Sequence, residues 1–196
     1  PYQSKQYEVG AKYDGGTFGA TFAVFRLAKP NLSLQGNVVR DSGETRTQGV
    51  ELSCYGELLQ GLKVLGGLTF LEATNEKTLD NVNNGNDVIG VPDTQVNLSV
   101  EWDVPGTNGL SVDARGVYTS SQAANDANTL NIPSWTRLDA GARYAMSVSG
   151  KTVTLRARVD NVTDKDYWAS VGGSFNANYM VLGGPRTYTL SASLDF

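Results

Sequence analysis

Few groups in this 196-residue chain could carry chemistry, and what is missing narrows the field first. The chain has no histidine and one cysteine, Cys54. Ser/His/Asp and Cys/His catalytic arrangements, histidine-based metal sites and an intrachain disulfide are therefore excluded. Gly172-Gly173 and Gly183-Gly184 lack the strand-to-helix context of a phosphate-cradling loop and read as turn residues. Asp80, Asn81, Asn83, Asn84, Asn86 and Asp87 crowd oxygen atoms into one loop. Val82 breaks the alternation that a calcium-binding loop needs, so a solvated, turn-rich loop is the better reading. What remains is electrostatic: Arg137, Arg143, Arg156 and Arg158 with Glu101, Asp139 and Asp160. Such a set makes either a charged wall for an anionic ligand or a ladder of cross-strand ion pairs, and the ladder is the expectation, since any wet wall carries such groups.

Those charges need elements that bring them to one face, and the chain supplies strands. Tyr188, Leu190, Ala192, Leu194 and Phe196 alternate with Thr187, Thr189, Ser191, Ser193 and Asp195. A period of two held over that length marks a strand with different environments on its two sides. The same pattern runs through Val153, Leu155, Ala157 and Val159; through Leu138, Ala140, Ala142 and Tyr144; and through Leu110, Val112 and Ala114. It recurs in Val96, Leu98, Val100 and Trp102, in Val50, Leu52 and Cys54, and in Tyr7, Val9, Ala11 and Tyr13. Two further strands, near 18–28 and 62–74, carry Phe25, Leu65 and Leu71 on the nominally polar face. About nine strands result. The arginines and carboxylates all share the polar parity. Cys54 has apolar parity, so it reads as a lipid-facing or packed thiol and not as a reactive one.

The connections say what the two faces meet. Short links near Asp14–Thr17, Leu59–Gly61, Pro105–Asn108 and Ser147–Gly150 alternate with long polar ones at Lys29–Thr45, Asn75–Asp93, Ser121–Ser134 and Thr163–Pro185. Short turns at one rim and long loops at the other are the outer-membrane barrel pattern. Tyr13, Phe18, Trp102, Tyr144 and Phe196 fall toward the short-turn rim of the apolar face, and Tyr7, Phe70, Tyr118 and Tyr188 toward the other. Two such belts suit the two interfaces of a bilayer. The 22 glycines and nine tyrosines agree with many strands joined by tight turns. A net charge of −4 offers no field for nucleic acid. There is no apolar run of transmembrane-helix length and no signal-peptide core at the N-terminus, which excludes neither a soluble protein nor a barrel.

Several segments resemble one family: Gln6-Tyr7-Glu8-Val9-Gly10-Ala11-Lys12-Tyr13, Gly49-Val50-Glu51-Leu52, Gly90-Val91-Pro92, Asp160-Asn161-Val162-Thr163-Asp164-Lys165-Asp166-Tyr167, and Gly183-Gly184-Pro185-Arg186 ahead of a terminal Phe. In this order they are similar to the C-terminal half of TonB-dependent siderophore receptors, with Val162-Thr163 where that family usually has Leu-Phe. The resemblance implies an all-β, antiparallel transmembrane β-barrel. The chain is then a C-terminal fragment of about nine strands, residues 1–196, from a barrel of roughly 22, with the plug domain and TonB box outside it. An odd strand count fits a part of a barrel better than a whole one.

The implied activity is TonB-energised uptake of a ferric siderophore across the outer membrane of a Gram-negative bacterium, with no catalysis and no resident cofactor or metal. The implied partners are the ferric siderophore, the TonB complex through the absent N-terminal part, the outer-membrane assembly machinery and the lipid bilayer. Phe196, closing an alternating last strand, resembles the assembly signal. The aromatics of the last long loop, Phe175 and Tyr179 first and then Tyr167 and Trp168, are expected to contact ligand, Tyr167 and Trp168 having the upper aromatic belt as their other reading. Other readings are a passive porin or adhesin barrel, a receptor for cobalamin or haem, and a soluble all-β binding domain.

Overall fold

The computed structural model describes residues 2–35, 37–174 and 177–195, and only the backbone of 33–35, 173, 174, 177 and 178. In chain order the elements are β1 (Lys5–Asp14), β2 (Phe18–Gln35), β3 (Val38–Leu59), β4 (Leu62–Lys77), a 3-10 turn (Leu79–Asn81), β5 (Thr94–Asp103), β6 (Leu110–Thr119), β7 (Gln122–Ala123), β8 (Asn131–Ile132), β9 (Trp135–Val148), β10 (Lys151–Asp160), β11 (Trp168–Ser174), β12 (Ala177–Leu182) and β13 (Thr187–Leu194).

Nine of these form one antiparallel sheet in the order β1-β2-β3-β4-β5-β6-β9-β10-β13. The register keeps each apolar row on one side: Val159 opposes Tyr188 and Ala140, Ala157 opposes Leu190 and Ala142, and Leu155 opposes Ala192 and Tyr144. Across β4, β5 and β6 the row continues as Val64, Val100 and Ala114. A slip of one residue anywhere would turn that strand's apolar set to the wrong side. β5, β6 and β10 have ten residues each, the length a tilted strand needs to cross a bilayer core. The apolar row is exposed rather than packed: Leu190 is 82% and Val9 79% accessible. Among the described residues the cluster of buried apolar side chains, Ala124, Ile132 and Val171 with Ile89 against it, lies in the connections at the long-loop rim. The sheet is thus inverted relative to a water-soluble sandwich, whose apolar faces meet each other. Cys54 lies in the apolar row opposite Gly66, as its parity requires.

Local sequence explains the tight turns. Ser149 and Gly150 join β9 to β10 with φ of 52° and 81°, and two positive φ values in a two-residue link match the right-handed twist of the strands they join. The other links at this rim, 15–17, 60–61 and 104–109, are also short.

The opposite rim departs from expectation in three ways. The Lys29–Thr45 segment is no loop: β2 and β3 continue as a paired ribbon through Leu34↔Val39 and Gln35↔Val38, with a register shift between Asn31 and Leu32. Only Asn31 to Gln35 alternates and Arg40 to Thr45 is a polar run, so pairing continues past the alternation that advertises it. The connections after β6 and β10 each fold into a small hairpin, β7–β8 and β11–β12. Gly172 and Gly173 lie inside β11 and are not turn residues.

If the apolar face meets lipid, single cysteines on a Cys54→Ala background will sort by parity. Thr154→Cys, Ser191→Cys and Ser99→Cys should react with an aqueous maleimide, and Leu155→Cys, Leu190→Cys and Leu98→Cys should be protected in vesicles. Preferential labelling of the second group would overturn the architecture.

Candidate functional site

On the polar face the charges assemble into two groups. Toward the short-turn rim, Lys63 and Arg143 bracket Glu101 and Asp103: Lys63 lies 3.2 and 3.3 Å from them, Arg143 3.2 and 3.7 Å. Ser111 joins them, accepting from Arg143 (2.9 Å) and donating to Asp103 (2.6 Å). Toward the long-loop rim, Arg158 reaches Asp113 (2.9 Å), Asp160 (2.8 Å) and Asp139 (3.5 Å), and Arg137 reaches Asp139 (3.1 Å). This is the expected cross-strand ladder, spanning β4, β5, β6, β9 and β10. Most of its pairs are partly exposed and individually worth little, about 0–1 kcal/mol. Asp139 differs, because its side chain is 0% exposed. Arg156, opposite Arg143 and Ser191, has no ion-pair partner among the described residues.

Above the ladder three loops lock into one another. Gly90 N–H donates to Ala123 O (3.0 Å), Asn86 Nδ2 donates to Asp126 O (2.8 Å), and Asp87 N–H donates to Asn128 Oδ1 (2.7 Å). Gly90 sits at φ 74°, and a Cβ there would lie 2.1 Å from Val171 O, so only glycine allows the first loop to reach the third. In the oxygen-rich loop, Thr78 N–H donates to Asn84 Oδ1 (2.9 Å), and Asn84 Nδ2 donates to Asn81 Oδ1 (3.1 Å). Those amides bond to each other, as a turn-rich loop requires. At the loop's end, burial first and then the nearby Asp87 and Glu72 charges push the Asp93 carboxyl above its usual range.

The four aromatics of the last loop meet different fates. Tyr167 is buried at 8%, its ring 4.5 Å from that of Trp135. Trp135 lies in β9 with the parity of Arg137 and Asp139, so Tyr167 packs on the polar side of the wall and is not part of the lipid-facing upper belt. Trp168 is 38% exposed and Tyr179 62%. Gly172 and Gly183 lack the Cβ that would run into Tyr179 and Tyr167 respectively. Phe175 and Phe196 lie outside the described residues.

Sequence reasoning did not single out Asn161 as a contact residue. Asn161 is 1% exposed with φ 54°. Its N–H donates to Asp139 Oδ1 (2.9 Å), its Nδ2 donates to Lys165 O (2.9 Å) and Gly184 O (3.1 Å), and its Oδ1 accepts from Lys165 N–H (3.0 Å). The only local signal was an asparagine directly after a strand, a residue that tolerates positive φ.

A groove of about 790 Å³ runs along the long-loop end of β1–β5. Its lining takes Val9, Val24, Val50 and Phe70 from the apolar row and Glu8, Phe25, Gly49 and Leu71 from the opposite parity.

A family model described as TonB dependent receptor-like, beta-barrel, matches residues 1–162. The chain is 40% identical over 195 residues to the ferrichrome receptor FcuA of Yersinia enterocolitica, covering 98% of this chain and 26% of that protein. It is 32% identical over 208 residues to the ferrichrome outer membrane transporter/phage receptor of Escherichia coli K12, covering 100% of this chain and 27% of that protein. Its structure superposes on BauA, the ferric preacinetobactin receptor from Acinetobacter baumannii, with a TM-score of 0.89 at 38% identity, covering 100% of this chain and 30% of that one. The chain spans about a quarter of the length of these curated relatives.

Proposed function

Because the chain belongs to the TonB dependent receptor-like β-barrel family, we propose that it forms the C-terminal wall and outer loops of a receptor that imports a ferric siderophore with energy relayed by TonB. Its setting is the outer membrane of a Gram-negative bacterium. In this reading the nine strands are part of a barrel of roughly 22, the plug and TonB box belong to segments outside residues 1–196, and the protein acts by binding and gated passage, without catalysis. The observation that carries the reading is the pairing of an exposed apolar face with an ion-paired polar face on one sheet, in a chain that superposes along its whole length on a ferric-chelate receptor. Relatives named for ferrichrome and ferric preacinetobactin make those chelates the first candidates.

The test is uptake of radiolabelled iron as ferrichrome, ferrioxamine or preacinetobactin chelates in cells with and without the gene, each with TonB intact or deleted. Uptake of at least one chelate should require both. Uptake that persists without TonB would favour a passive barrel instead.

Within this reading Tyr179 and Phe175 are the first contacts for the chelate, and Trp168 is a further one. Tyr167 supports the loop from below. A bulky, partly apolar chelate buries against such rings at low side-chain entropy cost. Replacing Phe175 and Tyr179 together by Ala should weaken chelate binding by about 1–3 kcal/mol, measured by equilibrium titration of correctly assembled protein. Unchanged affinity would assign the loop to packing alone.

A further inference from the structure

The last long connection leaves the sheet after β10 and returns at β13, and one asparagine holds both of its ends. Asn161 bonds to Lys165 on the outgoing chain and to Gly184 on the returning chain. A second layer closes the same neck: Gly183 N–H donates to Tyr167 O (2.8 Å), and Asp164 accepts from Arg186 N–H (3.3 Å) and lies 3.4 Å from its guanidinium. The neck is fixed to the wall through Asn161 N–H and the buried Asp139, which Arg137 and Arg158 hold in place. From the neck outward the chain forms the β11–β12 hairpin that carries Trp168 and Tyr179.

We infer that Asp139 and Asn161 form a clamp that sets the stance of this hairpin over the barrel mouth, and that both are positioning residues for chelate contact by Trp168 and Tyr179. The inference rests on the ligand role proposed above for those aromatics. Asn161 suits the task for three reasons. Its amide supplies two donations and one acceptance at a point where the outgoing chain, the returning chain and β9 converge. Its positive φ bends the chain sharply after β10. Its neutrality lets it sit beside a buried carboxylate, which an aspartate at 161 could do only at a large electrostatic cost. A turn that merely ended β10 would need only the φ value, which glycine also supplies.

That distinction gives the experiment. Asn161→Gly in the intact protein keeps the backbone and removes the side chain. Its folded yield, read from heat-modifiable gel mobility, should match wild type. Amide hydrogen exchange over residues 163–185 should be at least tenfold faster, with β9 and β10 unchanged, and the Kd for ferrichrome should rise at least fivefold. Asn161→Asp should not rescue either change. If Asn161→Gly fails to fold, Asp164→Gly opens the exposed side of the neck at a residue that already has φ 55° and should speed exchange over the same segment. Unchanged exchange there, or an equal rise in β9 and β10, would overturn the clamp. A freed hairpin with wild-type ferrichrome affinity would overturn the positioning role. A wild-type protein that binds none of ferrichrome, ferrioxamine or preacinetobactin chelates would fail the function proposed above, and exchange, which needs no ligand, would still decide the clamp.

Discussion

Leu98→Arg should lower the stability of the folded barrel in lipid by about 2–4 kcal/mol, the cost of a guanidinium on the lipid face at mid-depth. Leu98 stands midway along β5 between Gly66 of β4 and Gly116 of β6. Trp102 lies toward the short-turn rim of the same row, and Tyr118 and Phe70 lie toward the long-loop rim. With glycine on both sides the Leu98 side chain covers backbone that would otherwise face hydrocarbon, and a Cβ at Gly66 would lie 3.1 Å from its Cδ1. An arginine there loses that cover and has no water within easy reach, apart from what its side chain can find by bending toward a headgroup. The next residue is the control. Ser99 has the opposite parity, beside Leu65 and Arg115, and Ser99→Arg should change stability by no more than about 1 kcal/mol, as for a lumen substitution. Urea unfolding from lipid vesicles measures both. Equal losses at 98 and 99 would mean that the two faces of the sheet do not meet different solvents.

Asp139→Ala should cost about 3 kcal/mol, more than any other single change in the polar ladder. Its carboxylate is fully enclosed, between Arg137, Arg158 and the Asn161 N–H. Removing it leaves the buried Asn161 N–H unsatisfied and two half-buried guanidinium groups, 26% and 35% exposed, short of a partner. Arg158 retains Asp113 and Asp160, which limits the loss; Arg137 has no other carboxylate partner among the described residues. Asp139→Asn keeps the shape and an acceptor for Asn161 but not the charge, so it should fall between wild type and Asp139→Ala. By contrast Glu101→Gln, in the more exposed group, should cost at most about 1 kcal/mol. Chemical denaturation of the three variants ranks them, and the idea fails if Glu101→Gln proves as damaging as Asp139→Ala.

Much of the wall was legible in the residues alone. Tyr188 to Leu194, Val153 to Val159 and Val96 to Trp102 alternate because one side of each strand meets an apolar medium and the other a wet one, and that contrast is written residue by residue. Once parity was known, Arg137, Arg143, Arg158, Glu101, Asp139 and Asp160 had to share a face, and Ser149-Gly150 had to be a tight turn. Beyond the rim the contrast weakens. The ribbon from Lys29 to Thr45 alternates only over Asn31-Leu32-Ser33-Leu34-Gln35 and then turns polar from Arg40 to Thr45, too brief a pattern to distinguish paired strands from a loop, and the backbone's need for hydrogen-bond partners extends β2 and β3. The small hairpins β7–β8 and β11–β12 are equally silent, because they are held by contacts between loops far apart in the chain, such as Gly90 with Ala123 and Val171. Tertiary structure alone decided that Tyr167 is buried against Trp135 while Tyr179 stands exposed, since both are tyrosines in the same polar stretch. It also decided that Asn161 clamps the last loop: the φ of a turn is a local property that a sequence can suggest, but the meeting of Asp139, Lys165 and Gly184 at one side chain exists only after β9 and β10 have paired and the loop has come back.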